Sequence, residues 1–404
     1  MDATTYQPQR DRLRSPRTFL LLATLLAYAS ISTDIYLPAM PAMVRDLAAP
    51  DGSAEWTLSG YLIGFSLGQL LWGPVGDRFG RRGPILAGLA LFSIGSAGCA
   101  LAGNVWLVIA WRVLQAVGAA AGIVLARAMV RDIWQGGEAA RTMTRLMAVM
   151  AIAPLLGPLL GGQLLLLGGW RLIFWSALAF AAITAAWLVA TPEPLPLERR
   201  HAVGVGDAIA GYVKLLGNRD VLAYCGVGAG FYIGLFAYIS GSPFAYIEYY
   251  HVSPSHYGLL FALGVVGMIG SNLVNARFVA ERGVEAMLRL GGGLIATAGL
   301  LTLAAGLTGF GGLPGLIAPL LLFCCGSGVI IANSVSGALA GHSHQAGAVS
   351  ALLGALQYGS GVAASGLVGW FHDGTPRPMV VTMACGGLLA LGCALALPRR
   401  ADAG

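Results

Sequence analysis

The chain of 404 residues is 57% hydrophobic and only 10% charged, against roughly 45–50% and about 25% in water-soluble domains, which excludes a soluble globule. Its 24 basic and 18 acidic residues leave a formal charge of +6. The basic residues gather in the polar loops between apolar runs, so the excess reads as a topology signal and no nucleic-acid partner is expected.

Apolar runs of 18 or more residues, at a helical rise of about 1.5 Å each, are long enough to cross the hydrocarbon core. They lie near residues 18–44, 54–76, 84–103, 105–127, 143–167, 170–191, 221–247, 255–277, 286–308, 314–338, 346–371 and 378–397. The expected fold is therefore an all-α membrane protein of twelve transmembrane helices. Residues 192–220 form the only long polar stretch, opened by Pro192, Pro194 and Pro196 and carrying Glu198, Arg199 and Arg200. They divide the chain into an N-terminal six-helix half (1–191) and a C-terminal one (221–404), an arrangement that suggests parallel repeats. With the N-terminus inside, 20 of the 24 basic residues fall on the inner side and only Arg45, Arg171 and Arg377 in outer loops, which predicts that both termini are cytoplasmic. The first span runs well past Asp34, so it is read as a retained helix and not a cleaved signal peptide.

In the first span, STDIYLPAMP (residues 32–41) places Asp34 four residues before Pro38. The proline lacks the N–H that would bond the carbonyl of residue 34, leaving a free carbonyl beside a carboxylate, and both need a polar cavity. Asp34 and, in the fourth span, Arg112 are read as the only formal charges placed deep in apolar segments. Such charges are expensive there and are functional candidates by default. Counted from the outer helix ends, the two reach similar depths and could meet, either as a structural ion pair or as a pair that protonation of Asp34 releases. After the second span comes GPVGDRFGRR (residues 73–82), in which Asp77 can accept from arginines and from the free N–H groups of a helix start. The fourth span begins its RVLQAVGAA run (residues 112–120) with Arg112, and Gln115, three residues on, shares its face. The fifth carries APLLGPLLGG (residues 153–162): Pro154 and Pro158 interrupt the helix, while Gly157, Gly161 and Gly162 offer a smooth face to another helix. RFVAERG (residues 277–283) follows the eighth span as a weak echo of the 73–82 run. Glu248, at the outer end of the seventh span, is read as interfacial.

These motifs resemble those of the major facilitator superfamily. Residues 73–82 are similar to its cytoplasmic signature, and residues 112–120 to its fourth-helix pattern, with Ala116 where glycine is usual. Residues 153–162 are similar to the fifth-helix element of its antiporters, with Ala153 replacing the first glycine. The run DIYLPAMP (34–41), with RDI (131–133), GWR (169–171), FW (174–175) and GSPFAYIE (241–248), narrows the resemblance to the Bcr/CflA drug-resistance branch over almost the whole chain. That resemblance implies a bacterial inner-membrane antiporter driven by the proton gradient, with no cofactor. It would expel small amphipathic antibiotics of bicyclomycin, sulfonamide, tetracycline or chloramphenicol-like type by alternating access. On this reading Asp34 and Arg112 couple protons to transport. Tyr36, Tyr61, Gln115, Tyr232, Phe236, Ser240 and Gln357 line the drug cavity. Asp77, Arg78, Arg81 and Asp132 act as a cytoplasmic latch. The partners are a small-molecule drug, protons and the bilayer, and the protein is a monomer. Export of a small metabolite, such as an amino acid, and proton symport on the same fold are the alternatives. An enzyme is not expected: no HExxH, paired intramembrane carboxylates or Ser/His/Asp arrangement occurs, and His342 and His344 read as loop residues. The six cysteines lie in apolar segments without metal-ligand spacing and read as small hydrophobes.

Overall fold

The computed structural model describes residues 13–200, 205–340 and 345–397, and among these every regular element is a helix. His342 and His344 lie outside the described residues. Helix α1 (Pro16–Asp34) starts where Ser15 caps it, accepting from the Thr18 N–H at 3.3 Å. It stops at Asp34 for the reason the sequence gives: without an N–H at Pro38 the α-helical ladder cannot continue. The chain passes through a tighter turn, Leu37–Ala39, and resumes as α2 (Met40–Asp46).

Next come α3 (Ser53–Phe79), α4 (Arg82–Leu101), α5 (Val105–Ile133), α6 (Gly136–Met150) and α7 (Ala153–Val189). Non-helical backbone at Gly168 and Gly169, the latter at φ 74°, breaks α7 into two spans, and a side chain at Gly169 would be strained. A short helix, α8 (Val205–Leu216), lies in the linker. Then follow α9 (Arg219–Pro243), extended by a wide turn to Tyr249, α10 (Pro254–Arg282), α11 (Val284–Thr308), α12 (Gly312–Leu339), α13 (Ala346–Trp370) and α14 (Arg377–Ala396).

Ten continuous stretches among the described residues are long and apolar enough to cross a membrane. Helix α3, 27 residues long but more polar, and the break within α7 bring the spans to twelve. Large apolar side chains are exposed on the outside of the bundle, among them Ile183 (67%) and Leu273 (71%), a surface that only lipid would accept. Cys385 also lies exposed rather than packed inside.

Glycines set the closest helix contacts. A methyl group built on Gly64 of α3 would stand 2.1 Å from the Val113 carbonyl of α5, and one on Gly230 of α9 would stand 2.5 Å from the Ala390 nitrogen of α14. Small residues thus let backbones touch, giving the packing that substitutes for a hydrophobic driving force inside lipid. Helix α3 also packs along α13, and α7 along α10. These two pairs bring the earlier and later parts of the chain together around a central space.

Candidate functional site

That central space is a cavity of about 480 Å³. One wall, from α1, α3 and α5, presents Asp34, Tyr61, Phe65, Gln69 and Arg127; the facing wall, from α9, α10 and α13, presents Tyr232, Phe236, Tyr238, Phe261, Gln357 and Tyr358. Tyr358 joins the two. Its ring centroid lies 4.6 Å from Phe65, 5.4 Å from Tyr232 and 5.8 Å from Phe236. Gln357 is 5% exposed, and its amide nitrogen has no hydrogen-bond partner.

The cavity is sealed at one end and lined away from it at the other. At the sealed end, which we call the His372 end, Gly52 and Gly369 bring their backbones together: a methyl on Gly52 would fall 2.0 Å from the Gly369 carbonyl oxygen. Trp56 donates to the Gly366 carbonyl at 3.4 Å, Ser59 to that of Val362 at 3.3 Å, and Arg45 pairs with Glu248. Helices α7 and α10 touch there too, with Gly258 against Leu159. Further from that end Met147 and Met150 of α6 and Met268 and Asn272 of α10 line the cavity. The space therefore extends toward the end that holds Asp77.

Asp34, the last residue of α1, is 5% exposed and accepts from the Thr33 hydroxyl at 3.0 Å. The 153–162 run explains its setting. A methyl on Gly157 would stand 2.9 Å from the Asp34 Cβ, and one on Gly161 would stand 1.8 Å from the Ile35 carbonyl oxygen. The glycine face of α7 thus holds the broken end of α1, and with it the carboxylate.

Arg112 is fully buried, yet it makes no ion pair among the described residues. The direct contact with Asp34 considered from the sequence is not formed. Instead Nη1 donates to the Ser32 carbonyl at 3.0 Å and to Gln115 Oε1 at 2.8 Å, and Gln115 in turn donates to Ser96 at 2.8 Å. The guanidinium carbon sits 4.3 Å from the Tyr61 ring centroid and 4.9 Å from that of Tyr36, so ring faces take the place of a counter-ion. Nε and Nη2 keep unused hydrogen-bonding capacity. Arg112 therefore reaches Asp34 only through the α1 backbone two residues earlier.

Four of the seven expected cavity residues line the space: Tyr61, Tyr232, Phe236 and Gln357. Tyr36, Gln115 and Ser240 do not. Tyr36 lies behind the wall with its hydroxyl 2.5 Å from that of Thr57, Gln115 is spent on Arg112 and Ser96, and Ser240 turns back to donate to its own helix at the Phe236 carbonyl, 2.8 Å away. The last is a common fate for a helical serine in an apolar setting. Arg127, Tyr358 and Gln69 were missed. Arg127 stands at the edge of its apolar run, where it reads as a loop residue; Tyr358 is flagged only by its adjacency to Gln357. Glu55 was missed as well: it is fully buried in the first turn of α3, at the end of its span and not deep within it.

At the other end Arg81 is the centre of the polar cluster. It bonds Asp77 and Asp132, each at 2.7 Å, while Glu193 accepts from the backbone N–H groups of Arg81 and Arg82 at 2.8 and 2.9 Å. Arg78 is exposed over the Phe79 ring. The three carboxylates of this cluster, Asp77, Asp132 and Glu193, all come from the earlier part of the chain. No cluster of three or more His, Cys, Asp or Glu side chains able to hold a metal occurs among the described residues.

A family model described as Major Facilitator Superfamily matches residues 20–365. An uncharacterized MFS-type transporter of Bacillus subtilis, YdgK, is 34% identical over 382 residues, covering 92% of this chain and 94% of that one. A bicyclomycin resistance protein homolog of Haemophilus influenzae is 29% identical over 371 residues, covering 91% and 93%. Among solved structures, the partially occluded inward open conformation of the Escherichia coli xylose transporter XylE superposes with a TM-score of 0.71 at 15% identity, over 94% of this chain and 98% of that one.

Proposed function

The chain belongs to the major facilitator superfamily, in its drug-resistance branch, and from that premise we propose that it is a proton-coupled antiporter. It exports small amphipathic antibiotics, of bicyclomycin, sulfonamide, tetracycline or chloramphenicol-like type, across a bacterial cytoplasmic membrane. It is a transporter and not an enzyme. Both termini lie in the cytoplasm, so the Asp77 end is the inner end and the His372 end the outer; the distribution of basic residues supports this orientation. In this conformation the cavity then faces inward. The halves 1–191 and 221–404 rock about it as a monomer, with 192–220 as their link.

The observation that carries the reading is a buried carboxylate at the broken end of a helix, on the wall of a cavity lined mainly by aromatic and apolar side chains. Ring faces hold many drug shapes at about 0.5–1.5 kcal/mol per well-placed contact, which suits a broad cargo list. Asp34 supplies the competition. Ionised, it favours a cargo that donates hydrogen bonds or carries positive charge; protonated from outside, it gives up that attraction and the cargo leaves. One elementary charge crossing about 150 mV yields roughly 3.5 kcal/mol, enough to sustain a concentration ratio of a few hundredfold. Arg112 holds the α1 backbone beside the carboxylate, and the Arg81 cluster is the inner latch that would gain partners from the second half when that end closes.

In everted vesicles energised to acidify their lumen, the wild type should take up drug and Asp34→Asn at equal expression should not. Uptake by the variant at the wild-type rate would remove Asp34 from coupling.

A further inference from the structure

The sealed outer end contains a second pair of titratable groups that the export mechanism leaves unused. Glu55, in the first turn of α3, is fully buried, with Oε2 unpartnered. Its Oε1 lies 2.9 Å from Nδ1 of His372, in the loop after α13. The two residues come from opposite sides of the cavity, at the level where Gly52 meets Gly369. His372 keeps 16% of its side chain exposed, packs edge-on against Phe244 at 5.2 Å, and opens on an outer vestibule of about 470 Å³. One member of the pair is therefore dry and the other reaches outer water.

We infer that Glu55 and His372 form a second proton-binding site, loaded from the outer solution when the outer end closes and emptied to the same solution when it opens. A carboxylate sealed away from water is tolerated only if paired. The pairing available is an imidazolium whose Nδ1–H donates to Oε1. Closing brings the two together and draws a proton onto the imidazole; opening hydrates both and returns it. Proton balance is complete on one side of the membrane, so this site adds nothing to the transport stoichiometry. It instead makes the open-to-closed equilibrium of the outer end depend on outer pH.

The surroundings keep the sign. Asp51 and Asp373 add negative charge around the imidazole, while across the vestibule Arg45 is matched by Glu248, and His251 and Tyr249 are the remaining titratable groups of the lining. The hydrogen bond with Glu55 raises the proton affinity of His372 above its ordinary value, against the opposing effect of burial. A group whose affinity is raised in the closed state stabilises that state fully below its ordinary value, near about 6.5, and loses that contribution as pH rises through the raised one. Alkaline outer solution should therefore loosen the outer end.

The inference rests on the alternating-access reading, but not on Asp34 as the coupling residue. The test uses spin labels at the exposed positions Gly103→Cys and Phe310→Cys, with Cys325, Cys385 and Cys393 changed to Ala, in the full chain in lipid nanodiscs. The long-distance population should grow roughly threefold or more between about pH 6 and about pH 9. His372→Gln, which keeps a donor to Glu55 but cannot titrate, should be flat across that range. Glu55→Gln should lose most of the rise, and Asp34→Asn should keep it. A rise in His372→Gln equal to that of the labelled parent overturns the site, as does a parent whose distances ignore pH. Drug uptake by the parent in vesicles, scored separately, tells that failure apart from a failure of the export reading.

Discussion

The two walls of the cavity are built on different chemistry. The wall from α1, α3 and α5 carries Asp34 and Arg127, with Arg112 buried behind it; the wall from α9, α10 and α13 carries no formal charge at the cavity and presents rings and amides. The charged wall is also the more tightly constrained. Asp34 is fixed by a helix break and a glycine face, and Arg112 by two ring faces and a backbone carbonyl. The aromatic wall is held by ring contacts at 5.4–5.8 Å about Tyr358. Under the proposed antiport the difference would divide the labour, with energy coupling on the charged wall and cargo recognition on the aromatic one.

The strongest way to break this division is at Asp34. Asp34→Asn should lower drug accumulation against a gradient by roughly a hundredfold and make equilibrium binding of drug to the purified protein independent of pH; binding that still weakens with acid as in the wild type would move coupling off the charged wall. Gly161→Val should come next. Its side chain would meet the Ile35 carbonyl and force α7 from α1, lowering thermal stability by about 1–3 kcal/mol and export with it, whereas the same change at Gly293, whose Cβ would meet nothing within 4 Å, should leave export intact. Tyr358→Ala sharpens the contrast from the other wall. Drug affinity should weaken about tenfold, or about 1.4 kcal/mol, with the ratio of protons to drug unchanged in vesicle flux measurements. The smallest effect is expected at Ser240→Ala. Its hydroxyl serves only its own helix, so resistance and melting temperature should shift by no more than about 0.5 kcal/mol equivalent; a change in drug profile would return Ser240 to the cavity.

The fold was largely legible because hydropathy and the Pro and Gly positions act locally. The twelve spans, the stop at Asp34 and the break at Gly168–Gly169 each follow from a residue's own backbone preference. The cavity was legible only in part, since the rotation of each helix about its axis is set by its neighbours. Tyr232 and Phe236 face the space while Ser240, four residues on, turns to its own backbone. Arg112 was found from its charge and Gln115 from its spacing, but the rings around the guanidinium were not, because an aromatic residue carries no sequence mark of a bound cation. Glu55 escaped for the opposite reason: a carboxylate one turn from a helix start looks solvated until another segment, here the loop bearing His372, covers it.

Behind the ring of Tyr61 sits the buried guanidinium of Arg112. Together with Arg127 on the cavity wall it gives the chamber a positive bias that an ionised Asp34 would offset. On the proposed coupling role of Asp34, each hydrogen ion that arrives would do more than occupy a carboxylate: it would unmask that bias and turn the compartment against a cationic passenger, while a neutral one would feel chiefly the loss of a hydrogen-bond acceptor. Charge sorting among cargoes would then follow from the cations built into one wall.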